Sequence, residues 1–159
     1  AGGRLESPNG QLQYSCYRFY TPLTILYRRT FLGRTKRGRV QLRSFLMKDF
    51  DHKTARDVEW LMGACLMVRR TAWKEVGGMD ERFFMYFEDV DWCRRMWEAG
   101  WRVTYVPSAV FVHFHQRSSE RGLLSIFTNR PTREHIKSAV KYFAKYPGKP
   151  LPASVIVDH

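Results

Sequence analysis

Between Gly77 and Trp92 the chain crowds ionisable groups against apolar bulk. Carboxylates at Asp80, Glu81, Glu88, Asp89 and Asp91 are interleaved with Phe83, Phe84, Tyr86, Phe87 and Trp92. Charged groups are almost never fully buried unless paired, so this stretch does not read as ordinary core. Gly77-Gly78 predicts a turn. Phe83, Phe84, Tyr86 and Phe87 then predict an apolar wall. Glu88-Asp89-Val90-Asp91 reads as the acidic first turn of a helix, where carboxylates meet the positive end of the helix dipole. Val90, Cys93 and Trp97 recur at i, i+3 and i+7, which predicts the buried stripe of that helix. Gly100 stands where such a helix stops. Asp89 shares a neighbouring stripe with Trp92 and Met96, at the edge of the buried face. Asp91 has Arg94 and Arg95 three and four residues on, the spacing of a surface ion pair.

Asp89 is the carboxylate with the most chemical promise. The helix dipole lowers its pKa, whereas desolvation and the adjacent Glu88 raise it. A carboxylate held between those influences can take a proton from a substrate hydroxyl. The same residue types also make a helix-start acid that only stabilises the fold, and the residues alone leave both readings open.

Past Gly100, the run from Trp101 to Val106 reads as a strand closed by Pro107. Ala109 to His115 reads as a second strand. Its alternation puts Val110, Val112 and Phe114 on one face and Phe111, His113 and His115 on the other. Two imidazoles at i and i+2 suit one metal or phosphate, or a solvated edge. A metal site needs more ligands than two.

The rest of the chain is read around this stretch. Gly2 to Gly10 is expected to be loop, and Gln11 to Cys16 a short strand. Thr21-Pro22 opens a helix, with Thr21 as cap and Pro22 at the first helical position, running to Gly33. From Arg28 to Lys48, eight cations alternate with apolar side chains. We read that segment as a solvated, mobile loop in preference to a patch on an anionic membrane surface. Asp57 to Val68 is apolar, with a central strand expected at Leu66–Val68. Trp60 is a candidate to line a site or to fill core. Gly63 and Ala64 are small enough for a ligand to approach closely. A helix runs from Arg69-Arg70 to Gly77. Gln116 to Gly122 is read as a loop. Pro131 to Tyr146 is a helix capped by Thr132, with Ile136, Val140, Phe143 and Ala144 as its apolar stripe. Residues 147–159 form a tail.

The length of 159 residues and a 44% hydrophobic content suit one globular domain. No apolar run is long enough to cross a membrane as a helix. Cys16, Cys65 and Cys93 are odd in number and widely spaced, which suits buried free thiols in a reducing compartment. The net charge of +12 calls for an anionic partner. Nucleic acid, an anionic membrane face and a diphosphate-bearing substrate all qualify. Nucleic acid ranks lowest, because no recognition motif accompanies the charge.

In order along the chain stand Gly63-Ala64-Cys65-Leu66-Met67-Val68-Arg69-Arg70, Gly77-Gly78-Met79-Asp80-Glu81, Phe83-Phe84-Met85-Tyr86, Glu88-Asp89-Val90-Asp91, Gly100, Tyr105-Val106-Pro107-Ser108-Ala109 and His113. This series resembles the family 2 glycosyltransferases of GT-A fold, above all their rhamnosyltransferase-like and galactofuranosyltransferase-like branches, which build bacterial polysaccharides. The resemblance runs from about Leu5 to Tyr146. It implies an α/β chain, a partial GT-A (nucleotide-diphospho-sugar transferase) fold of mixed short strands with flanking helices. The nucleotide-binding half and its Asp-x-Asp metal motif are missing from the sequence. Asp49-Phe50-Asp51 has the right letters in the wrong place.

The resemblance therefore implies the acceptor-side half, residues 1–146, of a longer inverting enzyme, inactive by itself. Its donor would be a nucleotide-sugar and its acceptor a saccharide or lipid-linked glycan. It would work in the cytoplasm or on the inner membrane face. In the family, the Asp matching Asp89 is the base at the acceptor site, with Glu88 beside it. The His matching His113 is a ligand to a divalent metal (Mg or Mn). Gly63 and Ala64 match the donor side. Glu88 and Asp91 would position acceptor hydroxyls or the helix itself, and Trp92 would stack on a sugar or pack in the core. A competing expectation is a non-catalytic basic module docking on anionic lipid or nucleic acid. Self-association over the face left by the missing half is a further one.

Overall fold

A computed structural model describes residues 1–114 and 129–150. The expectations for His115, for the 116–122 loop and for the tail past Pro150 lie outside the described residues.

The central sheet has four strands, in the order Leu12–Gln13, Gly2–Glu6, Thr104–Val112 and Arg56–Asp57. Strand β1 (Gly2–Glu6) turns through residues 7–11 into β2 (Leu12–Gln13), to which it is antiparallel, and lies parallel to β6 (Thr104–Val112). Strand β4 (Arg56–Asp57) pairs with β6 on its other side, antiparallel. Gly2 to Glu6 is thus strand rather than loop. Two N–H groups of the Ser7–Gln11 turn close it, Gly10 onto Ser7 and Ser7 onto Gln11.

Pro107 does not end a strand. The β1–β6 register runs Gly3 to Val106 and then Arg4 to Val110, so residues 107–109 bulge out and the strand resumes. Proline has no N–H to give a ladder, and a bulge is where a sheet tolerates it. Gly3 permits the bulge, because a side chain there would run into the Ala109 carbonyl and the Phe111 ring.

A second, two-stranded sheet pairs β3 (Cys16–Tyr17) with β5 (Trp60–Leu61), antiparallel. The strand expected at Leu66–Val68 is irregular, and β5 is the ordered piece of that apolar run. Helix α1 (Pro22–Arg29) has the expected cap. Thr21 Oγ1 accepts from the Thr24 N–H at 3.1 Å, and Thr24 reaches back to complete a capping box. The helix ends at Arg29, short of Gly33, and a 3-10 turn (Phe31–Arg34) leads into α2 (Lys36–Phe45). The basic segment is therefore helical, not a loop. Helix α3 (Arg70–Val76) precedes the Gly77 turn, where φ is +80°.

Helix α4 (Glu88–Glu98) buries Val90, Cys93 and Trp97 as expected, and Gly100 follows its end with φ +79°. Helix α5 (Arg130–Lys145) is capped by Asn129, whose Oδ1 accepts from the Thr132 N–H at 3.2 Å. Its buried stripe is Thr132, His135, Ser138, Ala139 and Tyr142, whereas Val140 is 63% exposed. The apolar positions misplace this face because its polar groups find partners inside. Ser138 Oγ donates to the Met85 carbonyl at 2.8 Å, and the His135 ring packs on Tyr86 and Phe87.

Asp91 is not at the surface; its exposure is 0%. Oδ1 accepts from Lys145 Nζ at 2.6 Å and from the Tyr146 hydroxyl at 2.8 Å, and Oδ2 accepts from Arg95 Nε at 2.8 Å. Arg94 pairs with Glu98 instead, and its guanidinium lies over the Tyr146 ring. The expected surface pair is thus a buried cluster joining α4 to α5. Removing one partner from such a cluster strands buried charge, at a cost of about 3–5 kcal/mol. Asp91→Ala should lower stability by that amount in urea unfolding. A loss below about 1 kcal/mol, the range of an exposed pair, would show that the cluster does not hold the helices together.

Candidate active site

The expected apolar wall before α4 is split. Phe83 and Phe87 are buried, Tyr86 is half-buried against His135, and Phe84 is 69% exposed. Tyr86 and Phe87 both take left-handed backbone, with φ of +67° and +69°. Bulky non-glycine residues adopt that region only when their surroundings impose it. Here the rings are pinned. Phe87 sits 4.7 Å from Tyr20 and 5.3 Å from Tyr142, centroid to centroid. The kink launches α4 with no side-chain cap on its N-terminus. The turn ahead of it is clamped from the helix. Trp92 Nε1 donates to the Gly77 carbonyl at 2.8 Å, and Arg95 reaches the carbonyls of Val76 and Gly78 at 2.7 Å each.

Asp89 is the second residue of that helix and is 9% exposed. Its Oδ2 accepts from the Gly63 N–H at 2.9 Å, and its Oδ1 from the Val90 N–H at 2.8 Å. Burial, then the like charge of Glu88, push its pKa up to about 7, against the pull of the N–H donors. Gly63 and Ala64, just past β5, are exposed. A Cβ added to Gly63 would lie 3.6 Å from Asp89 Oδ2. The carboxylate therefore lies just beneath the surface, behind a residue without a side chain. Glu88 is half-buried, its pKa is also raised by burial, and its Oε2 has no hydrogen-bond partner.

The other expected site residues are placed less directly. Of the two roles weighed for Asp91, acceptor hydroxyls or the helix, its burial and three partners fit the second. Trp92 is half-buried and tied to Gly77 through its indole N–H. Trp60 is core. It is buried, stacked on Tyr17 at 4.5 Å, and donates to the Arg18 carbonyl at 2.7 Å. His113 follows β6, where its Nδ1 lies 3.0 Å from Gln13 Oε1. It stands just past the end of β6 in the four-stranded sheet, whereas Asp89 is fastened to the loop after β5. Asp49 pairs with Arg43, and Asp51 caps the Lys53 N–H, so the Asp-x-Asp run serves its own loop. Among the described residues, no group of three His, Cys, Asp or Glu side chains converges to hold a metal.

Three residues near Asp89 escaped the sequence reading. Tyr20 stacks between Trp60 and Phe87, and its hydroxyl accepts from the Arg28 guanidinium at the end of α1. His135 packs edge-on against Tyr86 and Phe87; burial and the nearby Arg29 and Arg28 push its pKa down to about 3. All three reach the site from distant sequence, and no local pattern marks them. Of the thiols, Cys16 and Cys93 are buried and Cys65 is half-buried, with no disulfide among them.

The family model for "Glycosyltransferase like family 2" matches residues 18–135. An N-acetylglucosaminyl-diphospho-decaprenol L-rhamnosyltransferase of Mycobacterium tuberculosis is 54% identical over 66 residues, 42% of this chain and 22% of that protein. The rhamnosyltransferase WbbL of Escherichia coli K12 is 34% identical over 88 residues, 55% of this chain and 31% of that protein. A pre-mycofactocin glycosyltransferase of M. tuberculosis is 41% identical over 59 residues, 37% of this chain and 12% of that protein. The matched segments thus span less than a third of these curated relatives. No solved structure matches the chain. The mixed α/β architecture is consistent with a GT-A-like fold, and a family match over most of the length settles membership: the chain belongs to the family 2-like glycosyltransferases.

Proposed function

We propose that the chain is the acceptor-side part of an inverting glycosyltransferase, residues 1–146, with Asp89 as its base. The donor would be a nucleotide-linked sugar, rhamnose by analogy with the named relatives. The acceptor would be a saccharide or lipid-linked glycan at the inner membrane face. One observation carries this reading. Burial and Glu88 push the Asp89 pKa up to about 7, and its Oδ2 is held by the N–H of Gly63, on an exposed loop. A base with a pKa near the working pH takes a proton efficiently.

The chemistry at that position is simple to balance. An acceptor hydroxyl gives its proton to an Asp89 carboxylate oxygen. Its oxygen forms a bond to the anomeric carbon from the side opposite the nucleoside diphosphate. The bond from that carbon to the diphosphate oxygen breaks, and configuration inverts. Glu88, half-buried beside Asp89, would help to keep the Asp89 pKa high through its like charge. Gly63 and Ala64 let the donor sugar come close. Asp91 and Trp92 act at one remove, by holding the helix and the turn before it. His113 is proposed as one ligand to the divalent metal of the longer protein; the described residues build no metal centre around it, and the proton transfer is not routed through one.

In the full-length protein, Asp89→Asn should lower turnover by about 10²–10⁴-fold while donor affinity persists, as measured by titration calorimetry. Retained turnover would move the base elsewhere. The base must be ionised to act, so kcat/KM should rise tenfold per pH unit below about 7 and level off above it. A profile flat from pH 5 to 8 would contradict Asp89 as base. Gly63→Ala fits at ordinary contact distance from Asp89, so melting should stay near wild type while the KM for acceptor or donor rises. An unchanged KM would place the mouth of the site elsewhere. The chain by itself should bind nucleotide-sugar weakly, and micromolar affinity by calorimetry would overturn its assignment as the acceptor-side part.

A further inference from the structure

The segment Pro22–Lys48 carries eight cations and no carboxylate, and it folds as α1, the 3-10 turn and α2. Close backbone approach welds the pieces together. A Cβ on Gly33 would collide with the Tyr27 carbonyl, and one on Gly38 with the Leu32 carbonyl. Thr30 and Thr35 cap the joints, the first onto the Leu32 N–H at 3.3 Å and the second onto the Gly38 N–H at 3.1 Å. The side chains turned inward are Thr24, Arg29 and Phe45. That packing leaves Leu23, Leu26, Phe31 and Val40 outside, with Phe31 76% and Val40 62% exposed. Arg34, Lys36, Arg37 and Arg39 are exposed among them.

We infer that this helical hairpin docks on the surface of an anionic bilayer, with Phe31 and its aliphatic neighbours entering the headgroup region and the arginines and Lys36 on lipid phosphates. Both halves of the patch are needed for that partner. Apolar side chains at the interface and cations on anionic headgroups each add to binding. A nucleic acid would satisfy the cations but offer nothing to Leu23, Leu26 and Val40. No described helix is long and apolar enough to cross a membrane, so the contact would be peripheral.

The hairpin is rooted at the site. Arg28, at the end of α1, donates to the Tyr20 hydroxyl, and the Tyr20 ring packs on Phe87, two residues before Asp89. Arg28 and Tyr20 thus link the hairpin to the ring that precedes Asp89. The binding itself does not depend on Asp89 being the base.

Co-sedimentation of the chain with vesicles tests this. It should pellet with phosphatidylcholine mixed with phosphatidylglycerol, stay soluble with phosphatidylcholine alone, and be released by salt. The exposed double variant Arg37→Glu, Arg39→Glu should lose at least about tenfold in affinity for the mixed vesicles. Phe31→Ser with Val40→Ser should weaken binding and leave the remainder wholly salt-sensitive. Circular dichroism and melting should match wild type in both, and Arg34→Gln with Arg37→Gln is the milder substitute if the charge reversal disturbs folding. Equal binding to neutral vesicles, full binding by the charge variant, or tighter binding to a DNA oligonucleotide would overturn the inference. So would sedimentation showing a dimer that Phe31→Ser dissolves. Because the readout is lipid binding, its failure leaves the Asp89 test untouched. An inactive Asp89→Asn protein should still pellet with the mixed vesicles.

Discussion

The position of the candidate base rests on a carboxylate two residues away. Helix α4 leaves a left-handed kink with no side chain to cap it, so its placement falls to ring packing and to contacts further along. Asp91 supplies what the cap does not. It binds Lys145 and Tyr146 from the far end of α5 and Arg95 from its own helix, and Arg95 in turn holds the carbonyls of the preceding turn. Buried ion clusters add little net stability over apolar packing, but they tolerate few alternative arrangements. That property suits a helix whose first turn must be set to within a fraction of an ångström against the Gly63 loop.

Two carboxylates on one helical turn thus meet opposite surroundings. Asp91 faces cations and a phenol, and its charge is matched inside the protein. Asp89 faces backbone N–H groups and the charge of Glu88, and burial works against its ionised form. The first arrangement suits a residue that ties two helices together. The second suits one that picks up and releases a proton near neutral pH. The same distinction separates structure from chemistry in a stretch whose sequence mixes the two.

Much of this was legible from local pattern. The Thr21-Pro22 start of α1, the Val90-Cys93-Trp97 stripe and the Gly100 stop follow from spacing and from the habits of single residue types. Where the reading failed, tertiary contacts had overridden those habits. Gly33 is the expected end of α1, yet the helix stops at Arg29, and Gly33 and Gly38 serve as points of close helix approach inside a folded hairpin. Pro107 looks like a strand end, and the sheet bulges around it. In α5 the apolar residues suggested one face, but His135 and Ser138 found partners on the α4 side and turned a different stripe inward. Asp89 stands out locally as a charge at a helix start beside aromatics, and the role proposed for it comes from the family resemblance. Its partner at Gly63 and the Tyr20 and Arg28 pair came from long-range packing, which no window of sequence contains.

The histidine under the kink has a consequence of its own. Burial and the nearby Arg29 and Arg28 push the His135 pKa down to about 3, which favours the uncharged imidazole. The aromatic seat formed by Tyr20, Tyr86 and Phe87 around it is therefore deaf to acidification that would switch an ordinary histidine. Protonation beside this seat falls instead on Glu88 and Asp89, whose charged forms burial disfavours.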